Sequence, residues 1–170
     1  MTNSVQSKRR VNALALLAVL ICVPAAIVVF VGATRHPESL AAGDRIAPLM
    51  ASDLTGKPRR LDANTADGAP HVWLIVSASC VICRAELAEM QKANAPFSRV
   101  TIVSLSSPAE TRDLMRQYPG LQRQTAIDSQ GVLQRAYGRF RTPTGLLIDS
   151  RGVLVLKWHG LRPELMRTAG

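Results

Sequence analysis

The sequence predicts an α/β domain carried behind an N-terminal transmembrane helix, and three observations predict it. A long uncharged run follows a basic cluster near the start, buried-type strands alternate with helical segments through the middle, and a pair of apolar segments joined by a turn closes the chain. The expected sheet is therefore mixed and flanked by helices. At 170 residues, 47% hydrophobic and 19% charged, the chain has apolar material for one packed core and is too apolar for a disordered tail. Its three cysteines are too few for a disulfide-stapled scaffold.

Residues 1–10 read as a cytoplasmic lead and 11–33 as the anchor. Between Arg10 and Arg35 no residue is charged, and from Val11 to Ala33 only Asn12, Pro24 and Gly32 are not apolar. As a helix this run spans roughly 36 Å, enough for a hydrocarbon core of about 30 Å. Lys8, Arg9 and Arg10 hold the N-terminus in the cytoplasm and send the rest across. A cleavable signal peptide is the rival, since Val31 and Ala33 resemble a cleavage pattern, but the run exceeds the usual h-region of about 7–15 residues. Cys22 lies inside the run and reads as a packing residue, because Ile21 before it is too large for a lipoprotein cleavage site.

Residues 34–45 turn polar and small and read as a tether, leaving 46–170 as the folded domain. Ala47–Leu54 and Arg59–Leu61 suggest a hairpin turning at Thr55-Gly56-Lys57. His71–Ser77 is a continuous apolar run bounded by turn formers, as expected of a central strand covered on both faces; Trp73 belongs to its core. Val81–Ala93 has helix formers and apolar positions at Ala85, Leu87, Ala88 and Met90. Arg99–Ser106 is a second strand. Ser107-Pro108-Ala109-Glu110 supplies a cap, a first-turn proline and an acid, so Pro108–Tyr118 should be helical. Thr125–Ile127 is a short strand, Val132–Tyr137 a short helix, and Gly145–Ile148 with Val153–Trp158 a strand pair turning at Asp149–Gly152. Pro163–Thr168 is a candidate terminal helix.

Cys80-Val81-Ile82-Cys83 falls where the central strand ends and the next helix begins. A sulfur at a helix N-terminus faces unpaired N–H groups and the positive end of the macrodipole, which favour thiolate over thiol. Cys83, about one turn on, can attack Cys80 in a mixed disulfide, so Cys80 is the exposed nucleophile and Cys83 the buried resolving thiol. A purely structural disulfide would close almost no loop. A zinc site lacks further ligands, since His36, His71 and His159 are scattered. Thr142-Pro143 precedes a strand, where a cis proline would present the backbone of Thr142 to a substrate strand; on the residues alone an ordinary trans proline in a loop is the expectation.

The order of these features resembles the TlpA/ResA-like branch of the thioredoxin superfamily, and the MauD-type methylamine-utilisation disulfide proteins are similar. The resemblance runs from about Gly43 to Gly160 and rests on Gly43–Pro48, Asp53–Lys57, strand–CxxC–helix, Thr142–Asp149 and Arg151-Gly152. It implies a thioredoxin-like fold, Cys80 and Cys83 as the catalytic pair, and Pro143 as a cis proline which, with Thr142, holds the substrate. Two departures stand out. Ser79 occupies the place of a common aromatic residue, and Val81-Ile82 supply neither charge nor side-chain hydrogen bonds to the sulfur. A thiolate less stabilised than in strongly oxidising relatives is expected, and with it a reductant or isomerase.

These readings converge on a membrane-anchored thiol–disulfide oxidoreductase of the extracytoplasmic side, needing no cofactor or metal. Its partners would be exported clients, an upstream membrane thiol donor and the lipid around 11–33. Cytochrome c biogenesis, methylamine dehydrogenase assembly and disulfide repair are the open client classes. The alternatives are a copper-binding assembly factor of the same fold, for which His159 reads instead as a surface or loop residue, and a redox-inactive subunit of a membrane complex. A peroxiredoxin would use Cys80 with Ser77, but the upstream proline it needs is absent. The formal charge of +9 first suggests nucleic acid; without Lys8, Arg9 and Arg10 it is 18 basic against 12 acidic residues on the exported side. An anionic lipid or an acidic client then suits it better than nucleic acid.

Overall fold

The computed structural model describes residues 40–63, 68–93, 97–160 and 162. The anchor expected at 11–33, the lead before it, tether residues 34–39 and the helix expected at Pro163–Thr168 lie outside the described residues. Among the described residues no helix is long and apolar enough to cross a membrane.

Strands β1 (Leu49–Ser52) and β2 (Pro58–Leu61) form the expected antiparallel hairpin. Its turn is closed by the Asp53 carboxylate, which accepts from the N–H and hydroxyl of Thr55 and from the N–H of Lys57. Strand β3 (His71–Val76) is buried at all six positions. Helix α1 (Val81–Ala93) follows, then β4 (Val100–Ser104), α2 (Pro108–Met115), a 3₁₀ turn (Pro119–Gln124), β5 (Thr125–Ile127), α3 (Val132–Tyr137), β6 (Thr144–Ile148) and β7 (Leu154–His159). The seven strands form one mixed sheet in the order β2-β1-β5-β4-β3-β6-β7, with β3, β4 and β5 parallel.

Helix α2 begins as predicted. Ser107 accepts from the Glu110 N–H while the Glu110 carboxylate accepts from the Ser107 N–H. It ends at Met115 rather than Tyr118, because Pro119 disfavours a helical residue before it; Tyr118 is non-helical at φ −129°, ψ 66°. The 3₁₀ turn that follows was not legible as a separate element. The closing hairpin turns as expected, with the Asp149 carboxylate accepting from the N–H groups of Arg151 and Val153.

Successive crossovers of one hand, from β3 to β4 and from β4 to β5 in the same direction across the sheet, put α1 and α2 on one face. There Val72, Leu74, Val76, Val100 and Ile102 pack with Cys83, Leu87, Met90, Leu114 and Met115. The return from β5 to β6 carries α3 over the other face, where Leu133 and Phe140 cover Trp73, Ile75, Val103, Ala126, Leu146 and Ile148. Gly145 pairs with Trp158, and a Cβ there would fall inside the indole, so only glycine lets the ring lie on the strand. The end of the segment read as a tether is held on the domain: Leu40 is buried, Gly43 N–H donates to Leu154 C=O at 2.8 Å, and Leu154 N–H donates to Asp44 C=O at 2.9 Å. Part of the open edge of β7 is thereby covered.

Candidate active site

At the C-terminal end of β3 the chain turns once before entering α1, Cys80 N–H donating to Ser77 C=O at 3.1 Å. Cys80 then caps the helix. Its carbonyl accepts from Arg84 N–H at 3.2 Å, and its Sγ lies 3.1 Å from the donating N–H of Cys83. A sulfur in this position takes the place of an N-cap oxygen and meets the positive end of the helix dipole, where a thiolate is stabilised. Cys80 and Cys83 are disulfide-bonded with Cα atoms 5.2 Å apart. Cys80 is half-buried and Cys83 fully buried, the exposure order that the spacing predicted.

The loop before β6 faces the pair. The Thr142–Pro143 peptide is cis, and the Thr142 carbonyl oxygen lies 3.4 Å from Cys80 Sγ. In the disulfide this is a contact; a reduced Cys80 thiol would donate across it. All four residues singled out from sequence, Cys80, Cys83, Thr142 and Pro143, are thus brought together. The loop is held from behind by β7. The Thr144 hydroxyl donates to Arg141 C=O and, its one proton used, accepts from His159 Nδ1–H at 2.8 Å. Gly160 N–H donates to Pro143 C=O at 3.1 Å. His159 is at the surface, as expected, at the end of β7 beside this loop.

Other supports were not foreseen. The Ser106 hydroxyl accepts from Ala78 N–H at 2.9 Å and lies 3.2 Å from Ser77 Oγ, itself 3.1 Å from Ser79 Oγ. The Arg84 guanidinium donates from Nε and Nη2 to Ala78 C=O at 3.2 and 2.9 Å. These bonds pin the turn that carries Cys80.

Glu86 is the main residue the sequence reading passed over. It lies on the buried face of α1, one turn beyond Cys83, and is 1% exposed. No hydrogen bond of ordinary length reaches its carboxylate oxygens among the described residues. Burial pushes its pKa up to about 7, the backbone of Arg162 pulling the other way by less. The signal was available: Cys83, Glu86, Leu87 and Met90 follow the helical i, i+3, i+4, i+7 period.

With this geometry in place, comparisons with known proteins are informative. A family model described as the AhpC/TSA family matches residues 42–157. No curated protein matches the chain. Among solved structures, a Chlorobium tepidum protein classed with the thiol:disulfide interchange protein DsbE superposes with a TM-score of 0.61 at 23% identity, covering 78% of this chain and 100% of its own. A peroxiredoxin-like protein of Aquifex aeolicus gives 0.61 at 14% identity, covering 79% and 88%. StoA of Bacillus subtilis gives 0.57 at 18% identity, covering 73% and 97%. At these identities the likeness establishes the fold.

Proposed function

The chain belongs to the AhpC/TSA family and has the thioredoxin fold, and from that premise we propose that it is a membrane-anchored thiol–disulfide oxidoreductase acting on exported proteins. The observation that carries this reading is the placement of Cys80 Sγ at the N-cap of α1, bonded to the buried Cys83 and facing the Thr142 carbonyl.

In the reducing direction the Cys80 thiolate attacks a client disulfide. One client sulfur leaves as a thiolate and the other is bonded to Cys80. Cys83 then attacks Cys80 Sγ, forming the intramolecular disulfide and releasing the second client thiol. The client gains two electrons and the protein loses two, so an upstream membrane dithiol must reduce it again. Isomerisation uses the same first step with no net electron transfer. The Thr142–Pro143 loop holds the mixed disulfide through its backbone. The uncharged run at 11–33 anchors the chain in the cytoplasmic membrane, and the basic lead places the domain outside.

Replacing Cys83 with Ser and blocking free thiols in cells tests the mechanism. Mixed disulfides through Cys80 are expected to accumulate, and to vanish in a Cys80→Ser variant. Their absence under conditions where the protein is active counts against the reading. Tight Cu(I) binding without disulfide exchange would point to a copper-binding assembly factor, and full function of the double Ser variant to a redox-inactive subunit.

A further inference from the structure

Resting on the thiol–disulfide reading of the site, we infer that its mouth is a docking surface for acidic polypeptide segments, so that preferred clients carry Asp or Glu beside the disulfide. Two features of the surface carry this. Between the two cysteines, Val81 and Ile82 are 79% and 52% exposed, an apolar centre beside the reactive sulfur. Around it three arginines are exposed. Arg84 stands one turn into α1, its guanidinium fixed on the Ala78 carbonyl. Arg139 and Arg141 are exposed on the facing loop, Arg141 immediately before the Thr142 whose carbonyl touches Cys80. His159 is exposed at the neighbouring end of β7.

Among the described residues none of Arg84, Arg139 and Arg141 is ion-paired to an acid of this chain. The described ion pairs lie elsewhere, at Arg60–Asp62, Lys92–Glu89, Arg116–Asp113 and Arg151–Asp149. At the sheet end that carries the cysteines, Asp128 accepts from the N–H groups of Val132 and Leu133, and Glu110 closes the cap of α2. Glu86 is buried. A guanidinium fork matches a carboxylate bidentately, and rim charges act mainly on encounter, with a strength that salt screens. A client laid across Val81-Ile82 with acidic residues on either side of its cysteine would meet Arg84 on one flank and Arg139 and Arg141 on the other.

The test uses the full-length protein in detergent, reduced and freed of reductant, and measures the second-order rate of a single turnover. Three disulfide peptides are compared, identical except for acidic, neutral or basic residues flanking the cysteines. The acidic peptide is expected to react about 10-fold faster than the basic one at low ionic strength, the gap closing in molar salt. In an Arg139→Glu/Arg141→Glu variant the order inverts. Equal rates for the three peptides in the wild type overturn the inference alone, and need no variant to be read. Failure to reduce any peptide overturns the thiol–disulfide reading with it. A double variant that keeps the acidic preference but loses binding to anionic phospholipid vesicles also overturns it, the rim then serving a membrane surface.

Discussion

The sheet face under α1 and α2 and the face under α3 are cut from the same strands, yet they bury different things. Under α3 the interior is Trp73, Ile75, Val103, Leu146, Ile148 and their partners, with the polar His71 and Thr144 at the two ends of the register and the buried Asp128 carboxylate satisfied by the N–H groups of Val132 and Leu133. Under α1 and α2 the apolar cluster also admits Cys83, a carboxyl at Glu86 and the Ser104–Thr111 hydroxyl pair, and among the described residues no hydrogen bond reaches the Trp158 indole N–H. A carboxyl taken out of water costs folding free energy, as the raised pKa of Glu86 records. The reactive face therefore carries groups that oppose folding, and the face behind it supplies compensating apolar burial.

This division is broken most strongly from the apolar side. Trp73→Ala removes one of the largest fully buried side chains and should lower stability by about 3–5 kcal/mol. Urea unfolding should show that loss. The rate at which the folded protein exchanges disulfides should stay near wild type, since Trp73 lies on the face away from Cys83 and Glu86. A parallel loss of exchange in the folded state would mean that the two faces are not separable.

From the reactive side the test is pH. Glu86 has a pKa raised by burial from 4.5 to about 7, so between these values the folded state holds a proton that the unfolded state has lost. Its contribution to stability is fully present below about 4.5 and is lost as pH rises to about 7, by on the order of 3 kcal/mol. Glu86→Gln keeps the shape and removes the ionisation. The variant should be more stable than wild type at pH 8, and that difference should shrink by pH 5. Urea midpoints at the two pH values measure it; a difference that does not change with pH would show that Glu86 ionises in the fold as it does in water.

The central strand and the cysteine pair were easier to read from sequence than the groups that support them, for a physical reason. His71–Val76 announces a doubly covered strand by unbroken hydrophobicity, and Cys80–Cys83 announces itself by spacing and position; both signals are local in the chain. Glu86 was hidden because a charged residue on an apolar stripe reads as a solvated position until the helix is seen packed. The clamps on the Cys80 turn come from Ser106 and from the Arg84 side chain, and that on the facing loop from His159; bonds spanning 28 residues, or 15 across β6 and β7, leave no periodicity to find. The early end of α2 was legible in principle from Pro119.

The smallest effect refines the comparison, because it concerns a helix on the reactive face that holds neither cysteine. Ser107 caps α2 through the Glu110 N–H, and this reciprocal pair satisfies donors that the first turn leaves open. Ser107→Ala should cost about 1 kcal/mol. If the burdens on this face belong to Cys83 and Glu86 and not to the helices as such, the loss should appear in the urea midpoint while the Cys80 exchange rate is unchanged. The neighbouring Ser106 is the control: its hydroxyl holds Ala78, two residues before Cys80, so Ser106→Ala should slow exchange as well as destabilise. Equal exchange rates in the two variants would place the support of the Cys80 turn on Arg84 instead, which bonds the carbonyl of the same Ala78.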